Sequence, residues 1–165
     1  MSRMTLTSDS IEATHAIGRQ LGAGLACGHI IALVGPLGSG KTALVKGIAQ
    51  GAGVADLRQV NSPTFVIVNE YDGSPAGVAL RIYHVDAYRL RGPGDLDALG
   101  FDEMCAQGAV IVEWADRVEG LLPSDCLTLR IDVLDGDSRR FLVSARGPSS
   151  GNLIADLRPP EAPRP

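Results

Sequence analysis

The sequence has no long apolar run. None of its apolar stretches approaches the roughly 18 residues that a membrane-spanning helix requires. The N-terminal residues also lack the apolar segment of a secretory signal peptide. We therefore expect a cytoplasmic protein that does not associate with membranes.

Cysteine is also scarce. The chain has three cysteines, Cys27, Cys105 and Cys126, which lie far apart and form no Cys-x-x-Cys pair. An odd number of widely spaced cysteines argues against a disulfide framework or a cysteine metal site. We expect all three to be buried free thiols.

Charge of one sign does not accumulate along the chain. Fifteen Lys and Arg stand against 19 Asp and Glu, which gives a net charge of −4. A protein that binds nucleic acid directly usually presents a basic face, because neutralising phosphates supplies most of the affinity. We therefore expect no direct binding of tRNA or DNA, although a partner could supply it.

The hydrophobic pattern predicts one α/β domain. The chain is 165 residues long and 45% apolar, which suffices for a single core. Short apolar runs at residues 29–34 and 109–112 are typical of strands buried on both faces. We predict a mixed parallel and antiparallel sheet flanked by helices. The other predicted elements are a first helix that begins after one of the N-cap candidates at residues 8–10, a helix beginning near Lys41, a hairpin of residues 64–71 and 78–85, short helices near residues 96–99 and 103, and a hairpin of residues 127–133 and 141–143.

Proline marks the end of the predicted domain. Five prolines follow Gly147, with small polar residues between them. Such a composition buries too little apolar surface to offset the loss of chain entropy on ordering. We therefore predict a folded domain over residues 1–147 and a disordered tail over residues 148–165.

A complete phosphate-loop motif follows the first buried strand. Residues 35–42 read Gly-Pro-Leu-Gly-Ser-Gly-Lys-Thr, which fits the pattern Gly-x-x-x-x-Gly-Lys-Ser/Thr. The glycines let backbone N–H groups turn inward around an anion, and the helix N-terminus adds partial positive charge. Lys41 would reach the β- and γ-phosphates, and the Thr42 hydroxyl would bind Mg²⁺. We predict a P-loop NTPase domain whose nucleotide-binding residues are Gly35, Leu37, Gly38, Ser39, Gly40, Lys41, Thr42 and Ala43.

Two acidic residues follow predicted strands. Glu113 ends the apolar run 109–112, and Asp86 ends the second hairpin strand. A phosphate-loop enzyme uses a carboxylate at the end of a neighbouring strand to hold Mg²⁺ or to position the attacking water. Each acid could instead be a solvated residue at a strand end, but the phosphate loop in the same domain favours function. We predict Lys41, Asp86 and Glu113 as catalytic residues, with each acid a candidate for holding Mg²⁺ or for positioning the water.

Two neighbouring features have open alternatives. Residues 62–64, Ser-Pro-Thr, are either a turn before a strand or a switch-like loop whose hydroxyl senses the γ-phosphate. Trp114, the only tryptophan, belongs either to the core or to the surroundings of the nucleotide. The absence of an Asn-Lys-x-Asp tetrapeptide weakens a GTPase interpretation without establishing adenine.

These motifs resemble the TsaE (YjeE) family, bacterial ATPases needed for the threonylcarbamoyladenosine modification of tRNA. The order and spacing of the motifs also agree, and the resemblance covers residues 8–146. Besides the phosphate loop, the matching segments are Ser-Pro-Thr-Phe at residues 62–65, Val-Asn-Glu-Tyr at 68–71, Tyr-His-Val-Asp-Ala-Tyr-Arg-Leu at 83–90 and Ile-Val-Glu-Trp at 111–114.

The resemblance implies ATP and Mg²⁺ as ligands, with the metal held by Thr42 and Glu113. It also implies that Asp86 belongs to the active site and that Thr64 is a catalytic residue in a mobile loop over the phosphates. The implied partner is a TsaB–TsaD complex, in which TsaD transfers the threonylcarbamoyl group to adenosine in tRNA. ATP hydrolysis would then drive a conformational or turnover step.

Two positions depart from the family's pattern. Pro36 stands where the family usually has Asp, and Ala115 replaces the usual Pro after Trp114. Neither is a required phosphate-loop position, so we expect nucleotide binding to survive with a different loop stiffness.

Two other classes of function agree with the motifs. A small-molecule kinase shares the loop and the size, although the hairpin directly after the phosphate-loop helix and Glu113 in place of Asp argue against it. A regulatory module would bind nucleotide without hydrolysing it. ATP turnover measured with and without partner proteins would separate these classes.

Overall fold

A seven-stranded sheet forms the centre of the protein in a computed structural model that describes residues 1–62 and 67–160. No described helix combines the length and the apolarity that crossing a bilayer demands. Within the described residues the strands are β1 (Ser2–Ser8), β2 (Ile30–Val34), β3 (Val68–Gly73), β4 (Leu80–Asp86), β5 (Gly108–Glu113), β6 (Leu127–Val133) and β7 (Arg139–Ala145).

The sheet is mixed, as the sequence predicts. Its strand order is β1-β7-β6-β2-β5-β4-β3. Strand β2 runs parallel to β5 and β6, and β4 runs parallel to β5. The β3–β4, β6–β7 and β1–β7 pairs are antiparallel. Because β2, β4 and β5 are parallel, their carboxyl ends meet at one edge, which is where ligands bind in open α/β sheets.

Helices cover both faces of the sheet beside this edge. One apolar cluster joins α1 and α2 to the sheet, and a second joins α3, α4 and the 3₁₀ segment Ala115–Leu121 to the opposite face. Strands β2 and β5 are therefore buried on both sides, which explains their unbroken apolar sequence. The described helices are α1 (Ile11–Ala23), α2 (Lys41–Gly51), α3 (Pro93–Ala98), α4 (Phe101–Gln107) and α5 (Pro148–Ile154).

Glycines bring α1 close to α2. A Cβ atom at Gly22 would overlap the carbonyl oxygen of Ile48, and one at Gly18 would lie 2.6 Å from the carbonyl oxygen of Leu44. Any larger side chain on this face of α1 would push α2 away. The close packing therefore fixes α2, and with it the residues at its N-terminus.

The N-terminal strand was not predicted. Strand β1 pairs with β7 at the edge of the sheet, and Leu6 and Ser8 are its buried side chains. Its sequence is mostly polar, and its partner lies more than 130 residues away, so no local pattern reveals it. The hairpin prediction is confirmed for β3 and β4, except that residues 63–66, including the predicted catalytic Thr64, lie outside the described residues.

The prediction of a disordered tail from residue 148 is wrong for the described part of that segment. Residues 148–154 form α5, and Leu153, Ile154 and Leu157 are buried in the core on the α1 side. Pro148 occupies the first turn of the helix, where a missing N–H does no harm. The prediction relied on the average composition of the segment, which does not show that these three apolar residues can all pack on the core. Residues 161–165 lie outside the described residues.

The expectation of buried thiols is confirmed only for Cys126. Cys105 is half-buried and Cys27 is exposed. Burial raises the pKa of the Cys126 thiol to about 12 and that of Cys105 to about 11. Both thiols therefore stay protonated and unreactive near neutral pH.

The carboxylate of Asp125 holds the start of α5. It accepts hydrogen bonds from the backbone N–H groups of Ser149 at 2.9 Å and Ser150 at 2.8 Å. These bonds, those to Ser150 first, lower the pKa of Asp125 from 3.8 to about 2. A carboxyl with a lowered folded-state pKa stabilises the fold above its unfolded pKa, and this stabilisation disappears as pH falls through the folded value.

Replacing Asp125 by Ala should therefore lower the free energy of unfolding by about 1 kcal/mol at pH 7, the usual value of a helix cap. The difference from wild type should shrink between pH 4 and pH 2, over which the carboxyl takes up its proton. Urea unfolding at several pH values measures both effects. Asp137→Ala, in the exposed β6–β7 turn, is the control. An Asp125→Ala effect that stayed constant down to pH 2 would contradict the cap.

Candidate nucleotide-binding and metal site

The phosphate loop connects the end of β2 to the start of α2. Gly38 and Gly40 have φ angles of 75° and 98°, a left-handed conformation that favours glycine. A Cβ atom at Gly35 would lie 2.7 Å from the carbonyl oxygen of Ile131. The first N–H groups of α2 have no acceptor within the helix, as at any helix N-terminus. The loop therefore has the backbone of an anion-binding nest.

The Lys41 side chain lies over the loop. Its Nζ donates hydrogen bonds to the carbonyl oxygens of Gly35 at 2.7 Å and Pro36 at 2.9 Å. The same nitrogen lies 4.0 Å from the centre of the Trp114 ring. The ammonium group is thus held at the mouth of the loop, where phosphate oxygens would contact it.

Burial lowers the pKa of Lys41, while the negative charges of Glu113, Asp86 and Asp116 act in the opposite direction. All three carboxylates lie close enough to the amine for their charges to act on it. Their field favours the charged form of the amine, which is the form that binds phosphate.

Thr42 and Glu113 form the candidate metal site. The Thr42 hydroxyl lies 3.2 Å and 3.3 Å from the two carboxylate oxygens of Glu113, which is 2% exposed. Hydroxyl and carboxylate oxygens suit Mg²⁺. Across residues 1–62 and 67–160 there is no group of three or more His, Cys, Asp and Glu that could hold a metal. A phosphate-loop site needs none, because nucleotide phosphates and water complete the octahedron.

Asp86 lies beside this pair. It is the register partner of Glu113 on the neighbouring parallel strand, and it is 8% exposed. Its Oδ1 accepts the backbone N–H of Tyr88 at 2.9 Å, and its Oδ2 accepts the Ser62 hydroxyl at 2.8 Å. Ser62 is the last described residue before the segment that contains Thr64, so the structure attaches the start of that loop to the site.

A buried histidine also contacts Glu113. His84 is fully buried, and its Nε2 lies 2.7 Å from Glu113 Oε1. Its Nδ1 lies 3.0 Å from the Tyr71 hydroxyl. Both residues lie in segments that match the family's motifs, but neither was predicted to have a role.

Trp114 lies beside the phosphate loop. Its backbone has φ 56° and ψ 41°. Trp114 is thus one of two non-glycine residues with positive φ in the described part of the chain. Besides Lys41, its ring contacts the ring of Tyr88, with centroids 4.9 Å apart. Strained backbone of this kind is common at functional sites. Of the two alternatives for Trp114, the structure favours a place next to the candidate nucleotide site.

Arg139 contacts the phosphate loop and was not predicted from the sequence. It begins β7, and its guanidinium donates to the carbonyl oxygens of Ser39 at 3.1 Å and Gly38 at 3.2 Å. These bonds hold the tip of the phosphate loop from outside. No local sequence signal marks Arg139, because its proximity to residues 38–39 comes from the pairing of β7 with β6.

The structure thus brings together the predicted loop residues from Gly35 to Ala43 with Lys41, Asp86 and Glu113. Thr64 lies outside the described residues, so its assignment stays a prediction.

Fold and site together define the α/β class of phosphate-loop proteins. The chain belongs to the TsaE family: the family model described as threonylcarbamoyl adenosine biosynthesis protein TsaE matches residues 8–141.

Individual relatives agree with this assignment. A Bacillus subtilis protein named tRNA threonylcarbamoyladenosine biosynthesis protein TsaE is 39% identical over 147 residues, with 88% of each chain covered. A Treponema pallidum protein of the same name is 34% identical over 142 residues, covering 86% of this chain and all of the relative. The crystal structure of Bacillus subtilis YdiB superposes with a TM-score of 0.77 and 32% identity, over 94% of both chains.

Proposed function

We propose that this chain is a magnesium-dependent ATPase that acts with a TsaB–TsaD complex in forming threonylcarbamoyladenosine on tRNA. The observation that carries the proposal is the contact of the Thr42 hydroxyl with the Glu113 carboxylate, at the end of a complete phosphate loop. Membership of the TsaE family links this site to the tRNA modification.

Each site residue has one task in the proposed reaction. The loop N–H groups and Lys41 would bind the β- and γ-phosphates, and Thr42 and Glu113 would hold the magnesium. When bound, the metal neutralises charge that develops on the phosphate oxygens. Water attacks the γ-phosphorus, the bond to the bridging oxygen breaks, and ADP leaves. Asp86 would orient that water, because its carboxylate lies next to Glu113 at the same edge of the sheet.

Asp86→Asn tests this division of tasks. The amide keeps the hydrogen bonds with Ser62 and Tyr88 geometrically possible but removes the negative charge. Turnover should fall about 100-fold, within the usual range for a group that assists proton transfer or positions water. The dissociation constant for nucleotide should change less than about threefold, since Asp86 does not touch the phosphates in this proposal.

The exposed Asp97→Asn variant, which carries the same chemical change on α3, is the control and should behave as wild type. Steady-state phosphate release and calorimetry on both variants give the two quantities. Unchanged turnover in Asp86→Asn would remove Asp86 from the reaction.

A partner should accelerate hydrolysis. The sequence has no recognisable acceptor-binding region, and its acidic balance disfavours direct tRNA binding. A partner that orders the loop after Ser62 and aligns Asp86 with water would raise the rate by positioning alone, by about tenfold or more.

The test is phosphate release by the chain alone, with TsaB and TsaD of the same organism, and with tRNA added. We expect slow hydrolysis alone and stimulation by the complex. Phosphate transfer to a small-molecule acceptor without stimulation would support a kinase instead. Nucleotide binding without phosphate release in any combination would support a regulatory module.

A further inference from the structure

We propose that His84 is a positioning residue that fixes the Glu113 carboxylate for magnesium, as the central member of a hydrogen-bonded chain that runs from Tyr71 through His84 to Glu113. This inference rests on the proposed magnesium site and adds residues to it. The segments at 68–71 and 83–90 supply the chain, and the phosphate-loop chemistry described above uses neither Tyr71 nor His84.

The chain crosses three neighbouring strands. Tyr71 on β3, His84 on β4 and Glu113 on β5 are diagonal neighbours in the sheet register, on the face that α2 covers. His84 is completely buried and Tyr71 is 4% exposed. Every buried side-chain nitrogen and oxygen in the described residues has a hydrogen-bond partner, and this includes the buried polar atoms of these three residues.

The Glu113 carboxylate sets the direction of each hydrogen bond. The Glu113 carboxylate can only accept, so His84 Nε2 carries the hydrogen. In the neutral imidazole Nδ1 then accepts, and the Tyr71 hydroxyl donates to it.

A neutral donor suits this position. An Arg or Lys at the same place would hold the carboxylate but would also neutralise it. His84 instead binds Oε1, and an imidazole in its neutral form would leave the negative charge of Glu113 available next to the Thr42 hydroxyl. Carboxylates that bind metals are commonly oriented by such outer hydrogen bonds, and removing the outer partner typically lowers metal affinity about 10- to 100-fold.

Strand β3, which carries Tyr71, also contacts the residues before Thr64. The Asn69 amide donates to the carbonyl oxygen of Asn61 at 3.3 Å, next to Ser62, which bonds Asp86.

The experiment measures how much Mg²⁺ tightens nucleotide binding. The dissociation constant of ATP is determined by calorimetry with EDTA and again with Mg²⁺, and the ratio of the two constants is the coupling. His84→Leu should reduce this ratio about 10- to 100-fold. Binding with EDTA should stay within about twofold of wild type, because His84 does not touch the phosphate loop. A general structural defect would weaken binding under both conditions.

Two further variants make the result specific. His84→Gln should restore the ratio to within about threefold of wild type, because the Gln amide nitrogen can replace Nε2 as donor. Tyr71→Phe removes only the hydroxyl that orients His84, and should reduce the ratio by about three- to tenfold. His15→Leu, which removes an imidazole from α1 away from the site, should match wild type.

Each outcome decides the inference. If His84→Leu fails to fold, the ratio of dissociation constants measured for Tyr71→Phe is the test. A wild-type ratio in Tyr71→Phe would overturn the inference. A wild-type ratio in folded His84→Leu, or equal losses with and without Mg²⁺, also overturns it while leaving the magnesium site intact. If Mg²⁺ has no effect on wild type, the proposed metal site fails together with this inference.

Discussion

Lys41→Ala should reduce kcat/KM for ATP by about 1000-fold and raise the dissociation constant for nucleotide by about 100-fold, since two charge-assisted hydrogen bonds to phosphate are lost. Lys41 is the cation that the structure places over the loop, where it bonds the carbonyl oxygens of Gly35 and Pro36. The fold should persist, because α2 is held by its apolar face and its packing on α1.

Lys46→Ala is the matched control. It removes the only other lysine, from the same helix and about one turn further along. Calorimetry and steady-state turnover on the two variants separate the role of Lys41 from the loss of one positive charge. Near wild-type affinity and turnover in Lys41→Ala would remove the phosphate loop from the function.

Glu113→Gln should lower magnesium-dependent turnover by about 100-fold or more, because the metal needs the carboxylate charge and the amide supplies a neutral oxygen. The substitution keeps the shape of the side chain. The oxygen of the Gln amide can still accept a hydrogen bond from His84 Nε2, so the fold should be preserved. Nucleotide binding in EDTA should be nearly unchanged.

Glu119→Gln makes the same chemical change at an exposed position of the following 3₁₀ segment and should have no effect. Turnover measured as a function of Mg²⁺ concentration distinguishes the two variants. If the Glu113→Gln titration curve matched wild type, Glu113 would be a structural residue that only holds His84 and Thr42 in place.

Local sequence patterns predicted the elements that carry the site. The phosphate loop, the two buried strands and both hairpins have signals that span a few residues, so periodicity and turn residues locate them. Asp86 and Glu113 were placed at strand ends for the same reason. Parallel pairing of β4 with β5 then sets these carboxylates side by side.

Features that depend on distant pairing were missed. Strand β1 is recognisable only from its partner β7, and Arg139 contacts the phosphate loop only because β7 folds back beside β6. Helix α5 was concealed by the prolines around it, although Leu153 and Ile154 pack on the core. The role of His84 depends on diagonal neighbours across three strands, which a single sequence does not show.

One calorimetric titration tests the central claim most directly. ATP is titrated into the wild-type chain with EDTA and then with Mg²⁺, and the single tryptophan, 4.0 Å from Lys41 Nζ, reports binding independently through its fluorescence. The account predicts saturable binding of one ATP per chain, tightened by Mg²⁺, with a change in Trp114 fluorescence. No saturable binding, or binding that Mg²⁺ does not affect, would contradict a magnesium–nucleotide site built from Lys41, Thr42 and Glu113.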